Sequence, residues 1–199
     1  MSATIEKRLA LLREALKTVH ANAFYTTLTD AHLSEYIADS DQFLTFLTGF
    51  TGSDAELLLT EDSAYLWTDS RYWEQAEREL AGTGIQVMRS GDKTVPSVKT
   101  FVGTLKNESS KSIFLAIDDL RTDVKTFQSL KDVADGMVPV DDAWINAIWK
   151  ERPERLFHPL YIHHASSVSA HDKLLRLQKH LGKSEAGDEA VLLLTRLDD

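Results

Sequence analysis

The stretch Ala55-Glu56-Leu57-Leu58-Leu59-Thr60-Glu61-Asp62-Ser63-Ala64-Tyr65-Leu66-Trp67-Thr68-Asp69-Ser70-Arg71-Tyr72-Trp73-Glu74-Gln75-Ala76-Glu77-Arg78-Glu79-Leu80 decides the fold class. Residues 55–60 and 64–68 are apolar runs of strand length, and the polar triplet Glu61, Asp62 and Ser63 between them predicts an antiparallel hairpin. A helix is predicted over residues 71–80, directly after the second strand. Working outward, residues 23–26, 85–88, 112–117 and 137–140 read as four more strands, and residues 42–47, 96–105 and 123–133 as helices between them. At the start of the chain, Ile5, Leu9, Leu12, Leu16 and Val19 recur at helical spacing with charges opposite, so this helix should lie on the sheet. The alternation predicts an α/β fold, a mixed sheet with flanking helices.

After Trp149 the texture changes. Residues 150–167 hold Pro153, Pro159, several charges and three histidines without periodicity, and read as a linker. Beyond it Ala170, Leu174, Leu177 and Leu181 form a helical stripe behind a serine-rich start suited to capping, and residues 191–194 read as a buried strand. A first domain over residues 1–158 is therefore expected, with residues 159–199 a linker and the truncated beginning of a second. A unit of ~40 residues without disulfides or metal rarely closes its own core.

Composition narrows the function classes. The 31 acidic residues outnumber the 22 basic ones, giving a formal charge of −9, which disfavours a nucleic-acid partner held by phosphate contacts. No apolar run approaches the ~18 residues that span a bilayer, and residues 1–20 are too charged for a secretory signal. The lack of cysteine leans toward a reducing compartment, so no membrane partner and a cytoplasmic location are expected. In that setting the Asn107-Glu108-Ser109 sequon carries no meaning.

Three further segments stand in a fixed order: Asp30-Ala31-His32-Leu33-Ser34-Glu35-Tyr36, then Gly49-Phe50-Thr51-Gly52-Ser53, then Trp67-Thr68-Asp69-Ser70-Arg71-Tyr72. In order and spacing they resemble motifs of the N-terminal domain of cytosolic X-prolyl aminopeptidases (aminopeptidase P), a domain that shares its fold with creatinase and prolidase. Residues 144–149 with Arg152 and Pro153 resemble that family's run-out of the first domain, and Asp172, Lys173 and Leu174 the start of its second. Two departures are visible. Asp54-Ala55 stands where the family has Ala-Gly, and Ser70 where it has a glycine, so these turns either use ordinary φ values or lie differently.

Two readings of Arg71 stand side by side. On the residues alone it belongs to the first turn of a helix that Asp69 or Ser70 could cap, solvated or paired with a nearby carboxylate. The resemblance implies instead that Arg71 reaches toward the catalytic cleft and binds substrate, as suits a guanidinium able to grip a carboxylate or carbonyl in two places. His32 and Glu35 could face one another three residues apart, but they are too few to hold a metal, and a local turn tied by Asp30 or Ser34 is the better reading. His158, His163, His164 and His171 match no zinc spacing. The doublets Asp118-Asp119, Asp141-Asp142 and Asp198-Asp199 read as loop and cap residues. Residues 49–53 lack the lysine of a phosphate-binding loop, and Trp67, Tyr72 and Trp73 read as core, with room for one of them at an edge or subunit contact.

The resemblance implies a parent enzyme that removes the N-terminal residue from peptides with proline in second position, using two divalent metal ions, manganese being expected. In the family their ligands lie in a C-terminal pita-bread domain absent from these 199 residues, so no metal ligand is assigned here, no cofactor is expected in this fragment, and it is predicted to be inactive alone. Peptide substrates and a homodimer are the expected partners. The alternative is a non-catalytic peptide- or histone-binding module with the same N-terminal fold, which the acidic balance would suit. A creatinase-like or prolidase relative is disfavoured by the first and third motifs.

Overall fold

The amphipathic stripe at the chain start is realised in helix α1 (Ser2–Thr18), where Ile5, Leu9, Leu12 and Leu16 are all buried. The structure is a computed structural model that describes residues 2–109, 111–156 and 168–181. The chain divides into two compact units, Met1–Arg155 and Leu156–Asp199. In the first unit, after α1, come β1 (Ala23–Thr27), a 3-10 turn at Asp39–Asp41, α2 (Phe43–Thr48), β2 (Glu56–Thr60), β3 (Ala64–Thr68) and α3 (Trp73–Glu79). Next follow β4 (Ile85–Arg89), α4 (Val98–Ser109), β5 (Phe114–Asp118), α5 (Val124–Lys131), β6 (Gly136–Val140) and α6 (Asp142–Ile148).

The six strands form one mixed sheet in the order β4-β3-β2-β1-β5-β6. β2 runs antiparallel to both its neighbours, and every other pairing is parallel. The five strands other than β2 therefore end at the same edge, where β2 begins. The β2–β3 hairpin forms at the expected triplet, with the Thr60 N–H donating to Ser63 O at 2.9 Å and the pair Leu59–Ala64 in register.

Side chains alternate between the two faces as a pleated strand requires. Phe24, Leu57, Leu59, Leu66 and Ala116 join α1, α2 and α6 in one core cluster. Tyr25, Leu58, Trp67, Leu115 and Ile117 meet Val98, Val102 and Leu130 of α4 and α5 in the other. Covering both faces explains why β2 reads as an unbroken leucine run rather than an alternating one.

Two local expectations change. The helix predicted over residues 71–80 starts later, at Trp73, because Asp69 to Tyr72 form a turn closed by the Tyr72 N–H on Asp69 O at 3.0 Å. Helix α6, not predicted, starts where the Asp141 carboxylate accepts from the Trp144 N–H at 2.9 Å, and it buries Ile145 and Ile148. In the second unit, α7 (Ala170–Leu181) begins behind Ser169, whose Oγ accepts from the Asp172 N–H at 3.1 Å. The strand predicted at residues 191–194 and most of the predicted linker lie outside the described residues.

Candidate functional site

All three sequence motifs lie around the edge where the parallel strands end. The first is a loop after β1. Asp30 is buried, and its Oδ1 accepts from the backbone N–H groups of His32 at 2.8 Å and Ser34 at 3.0 Å. Burial pushes this carboxyl up, but the bonds from Ser34 and His32 outweigh it and hold it below the ordinary carboxylate value. Asp30 thus ties the turn, as the residue-level reading expected, and His32 contributes its backbone. Leu33 is held at φ +56° while 67% exposed, and Tyr36 is 75% exposed.

The second motif follows α2, which Gly49 terminates in the left-handed conformation, φ +73°. A side chain at Gly52 would run into the Phe50 ring and come within 3.0 Å of Tyr72 Cδ1, so only glycine fits that approach. The next motif is held from here. Ser53 Oγ and Tyr72 Oη are 2.7 Å apart, Phe50 meets Tyr72 edge to face, and Thr51 donates through N–H and Oγ1 to the Glu79 carboxylate at 2.9 and 2.8 Å. A cleft of about 210 Å³ opens between the first two motifs, lined by Leu28, Tyr36, Ile37, Thr51 and Ser53 among others.

Arg71 sits in the turn after β3. Its side chain is 66% exposed, and it pairs with Asp69 through Nη2 to Oδ2 at 2.6 Å and Nε to Oδ1 at 3.0 Å. The hydrogen bond from Arg71 is the main reason the Asp69 carboxyl lies below its ordinary value. The guanidinium carbon lies 5.1 Å from the Tyr72 ring centroid. Both departures from the family pattern resolve as ordinary backbone, since Asp54, Ala55 and Ser70 all avoid positive φ. Asp54 gains a task from its side chain: Oδ2 accepts from the Asp69 N–H at 3.2 Å, behind the turn that carries Arg71. Trp67 is core, as expected, with Nε1 donating to Pro96 O at 2.9 Å.

Sequence reasoning missed a second feature of this edge. Arg121, 2% exposed, donates to Asp41 at 2.6 Å, Asp142 at 3.0 Å and Asp118 at 3.2 Å. Arg152 reaches Asp142 at 3.1 Å, and Arg155 reaches Asp41 at 2.9 Å. Burial raises the Asp118 carboxyl despite Arg121 beside it. For Asp142 burial also acts upward, but the bonds from Arg152 and Arg121 prevail and lower it. Within the doublets, Asp119 is exposed and Asp141 is a cap, as read, whereas Asp118 and Asp142 belong to this network. The spacing of Asp118 and Arg121 was the available signal; Asp41, 80 residues away from Arg121, gave none.

Among the described residues no three His, Asp or Glu side chains group as a metal centre requires. His171 lies on exposed α7, and His158, His163 and His164 lie outside the described residues.

A mixed six-stranded sheet covered on both faces, with its loop motifs gathered at the edge where five strands end, defines a creatinase-type α/β domain. The chain belongs to the creatinase/prolidase N-terminal domain family, whose profile matches residues 8–148. Xaa-Pro aminopeptidase app-1 of Caenorhabditis elegans is 32% identical over 183 residues, covering 89% of this chain and 29% of that protein. A probable Xaa-Pro aminopeptidase P of Sordaria macrospora is 30% identical, covering all of this chain and 33% of that protein. The crystal structure of the C. elegans X-prolyl aminopeptidase, described as a cytosolic enzyme with a di-nuclear active site, superposes with a TM-score of 0.73 at 28% identity, over 90% of this chain and 31% of that one. The chain thus spans about a third of these relatives. The described side chains do not fit a dinuclear metal centre.

Proposed function

We propose that this chain is the N-terminal, non-catalytic portion of an X-prolyl aminopeptidase, a metal-dependent hydrolase that removes the N-terminal residue from peptides with proline in second position. The observation that carries the reading is similarity along nearly the whole chain to Xaa-Pro aminopeptidases, with the three motifs gathered at one edge around an exposed arginine. Residues 1–158 form the first domain in this reading, and residues 159–199 are the linker and the opening of the second; the compact unit ending at Arg155 supports that division.

The catalytic metals, two manganese ions, are held outside these residues, where they would activate the attacking water. This chain's own part is to bind and orient: the guanidinium of Arg71 donates to an oxygen of the peptide substrate, while the turn from Asp69 to Tyr72, tied through the Ser53 hydroxyl, keeps it in place. The enzyme is cytoplasmic and works as a homodimer; the half-exposed Leu174 and Leu175 of α7 support association through the second unit. No helix among the described residues is long and apolar enough to cross a membrane.

Substitution of Arg71 in the complete enzyme that carries this chain tests the assignment. Arg71→Ala should lower kcat/KM on a Xaa-Pro peptide about ten- to a hundredfold with the melting temperature unchanged, the loss of one charge-assisted hydrogen bond. Arg71→Lys should restore only part of it. An Ala variant as efficient as the parent returns Arg71 to a solvated surface charge.

A further inference from the structure

The turn that presents Arg71 also determines which part of its guanidinium stays free. Nε donates to Asp69 Oδ1 at 3.0 Å and Oδ2 at 3.1 Å, and Nη2 donates to Oδ2 at 2.6 Å. A guanidinium carries five N–H donors in a planar fork. Asp69 engages the Nε–Nη2 side, which leaves the Nη1–Nη2 edge, with its two parallel N–H bonds, on a side chain that is 66% exposed.

The carboxylate that holds Arg71 is itself held. Its Oδ1 accepts from the Arg71 backbone N–H at 2.9 Å, and the Asp69 N–H donates to Asp54 Oδ2 at 3.2 Å. On the other side of Arg71, Tyr72 supplies its ring, and the Tyr72 hydroxyl is tied to Ser53 at 2.7 Å. A free arginine side chain samples many rotamers, and ordering it only when substrate arrives would cost binding free energy. Here that ordering precedes substrate.

We propose that Asp69 is a positioning residue, which fixes Arg71 so that the outer Nη1–Nη2 edge is presented to an oxygen acceptor of the bound peptide, a carboxylate or a main-chain carbonyl. The proposal rests on the reading of Arg71 as peptide-binding. It accounts for why Asp69 does not block the site: the carboxylate occupies one side of the fork and leaves a second edge that can pair in two places with another acceptor.

The test is a double-mutant cycle on the complete enzyme, with Asp69→Asn, Arg71→Ala and the pair. The Asn side chain keeps an Oδ1 for the backbone N–H of Arg71, so the turn survives while the charged fork is lost. Asp69→Asn should lower kcat/KM about two- to fivefold, through KM with kcat unchanged, the range of an exposed ion pair. In the Arg71→Ala background it should have no further effect. Asp69→Glu, which keeps the charge but displaces the fork by one methylene, should show the same loss. Running each variant on a peptide acid and its C-terminal amide separates the two oxygen sources: a loss confined to the acid identifies the terminal carboxylate, and equal losses identify a main-chain carbonyl. An Asp69→Asn effect that is absent, or that persists undiminished without Arg71, overturns the positioning role while leaving Arg71 itself intact as a binder. A harmless Arg71→Ala sinks the underlying reading instead.

Discussion

Glu56, at the start of β2, is a carboxyl whose titration bears on stability. The Tyr25 hydroxyl donates to its Oε1 at 2.5 Å, and burial pushes its carboxyl above the ordinary 4.5, with the charges of Asp54 and Asp123 adding to the rise and the bond from Tyr25 opposing it. A raised carboxyl pKa means that the folded state holds its proton more tightly than the unfolded one. The stability so contributed is complete below the unfolded value and is lost as pH rises through the folded value. Above the unfolded value the burial of Glu56 therefore costs the folded protein stability, because the unfolded chain gives up this proton more readily. Glu56→Gln, whose amide oxygen can still accept from Tyr25, should raise the melting temperature at pH 7 and leave it unchanged near pH 4. Equal shifts at both pH values would show that ionisation of Glu56 is not the cause.

At the scale of elements, Arg121 joins the 3-10 turn, the end of β5, the start of α6 and the exit of the first unit through Asp41, Asp118 and Asp142. Arg121→Met leaves Asp118, 1% exposed, with the Thr26 hydroxyl at 3.4 Å and the backbone N–H of residue 121 at 3.3 Å but without its cation, and unpairing a buried charge in this way costs about 3–5 kcal/mol. The melting temperature should fall by about 10 °C, whereas Arg155→Ala, at a 46% exposed partner, should cost under about 1 kcal/mol. A similar small loss for both variants in thermal unfolding would mean that Arg152 and Arg155 already suffice. This network also marks how far the sequence could be read. The six strands and six of the seven described helices were legible because their apolar periodicity is local, and the Glu61-Asp62-Ser63 turn named its hairpin. Helix α6 was not, although Asp141 caps it, because its buried face is a single pair one turn apart, Ile145 and Ile148, which makes no repeating stripe. The edge motifs were visible as strings, and Asp30's role in tying its own turn followed from turn chemistry. That Asp54 would brace Asp69, or Asp41 meet Arg121, depends on chain reversals over 15 and 80 residues that no local pattern encodes.

For the molecule as a whole, the two core clusters found among the described residues lie within the first 155, so that unit is expected to fold by itself. Its last residues are Arg152 and Arg155, which reach back to Ser40 O, Asp41 and Asp142. The second unit differs: along α7 Leu174 is 55% and Leu175 49% exposed, and the sequence beyond predicts an apolar strand over residues 191–194, outside the described residues. Such a stripe, with the predicted strand if nothing in its own chain pairs it, would favour pairing with a second copy. Chains ending at residues 199, 167 and 155 separate these contributions. Light scattering coupled to size exclusion should find the 199-residue chain dimeric and both shorter chains monomeric, with the chain ending at 155 melting within a few degrees of the one ending at 167. A dimer that survives removal of residues 156–199 would move the association surface into the first unit. A 199-residue monomer would overturn the pairing and show that α7 and the segment after it cover their apolar groups within one chain.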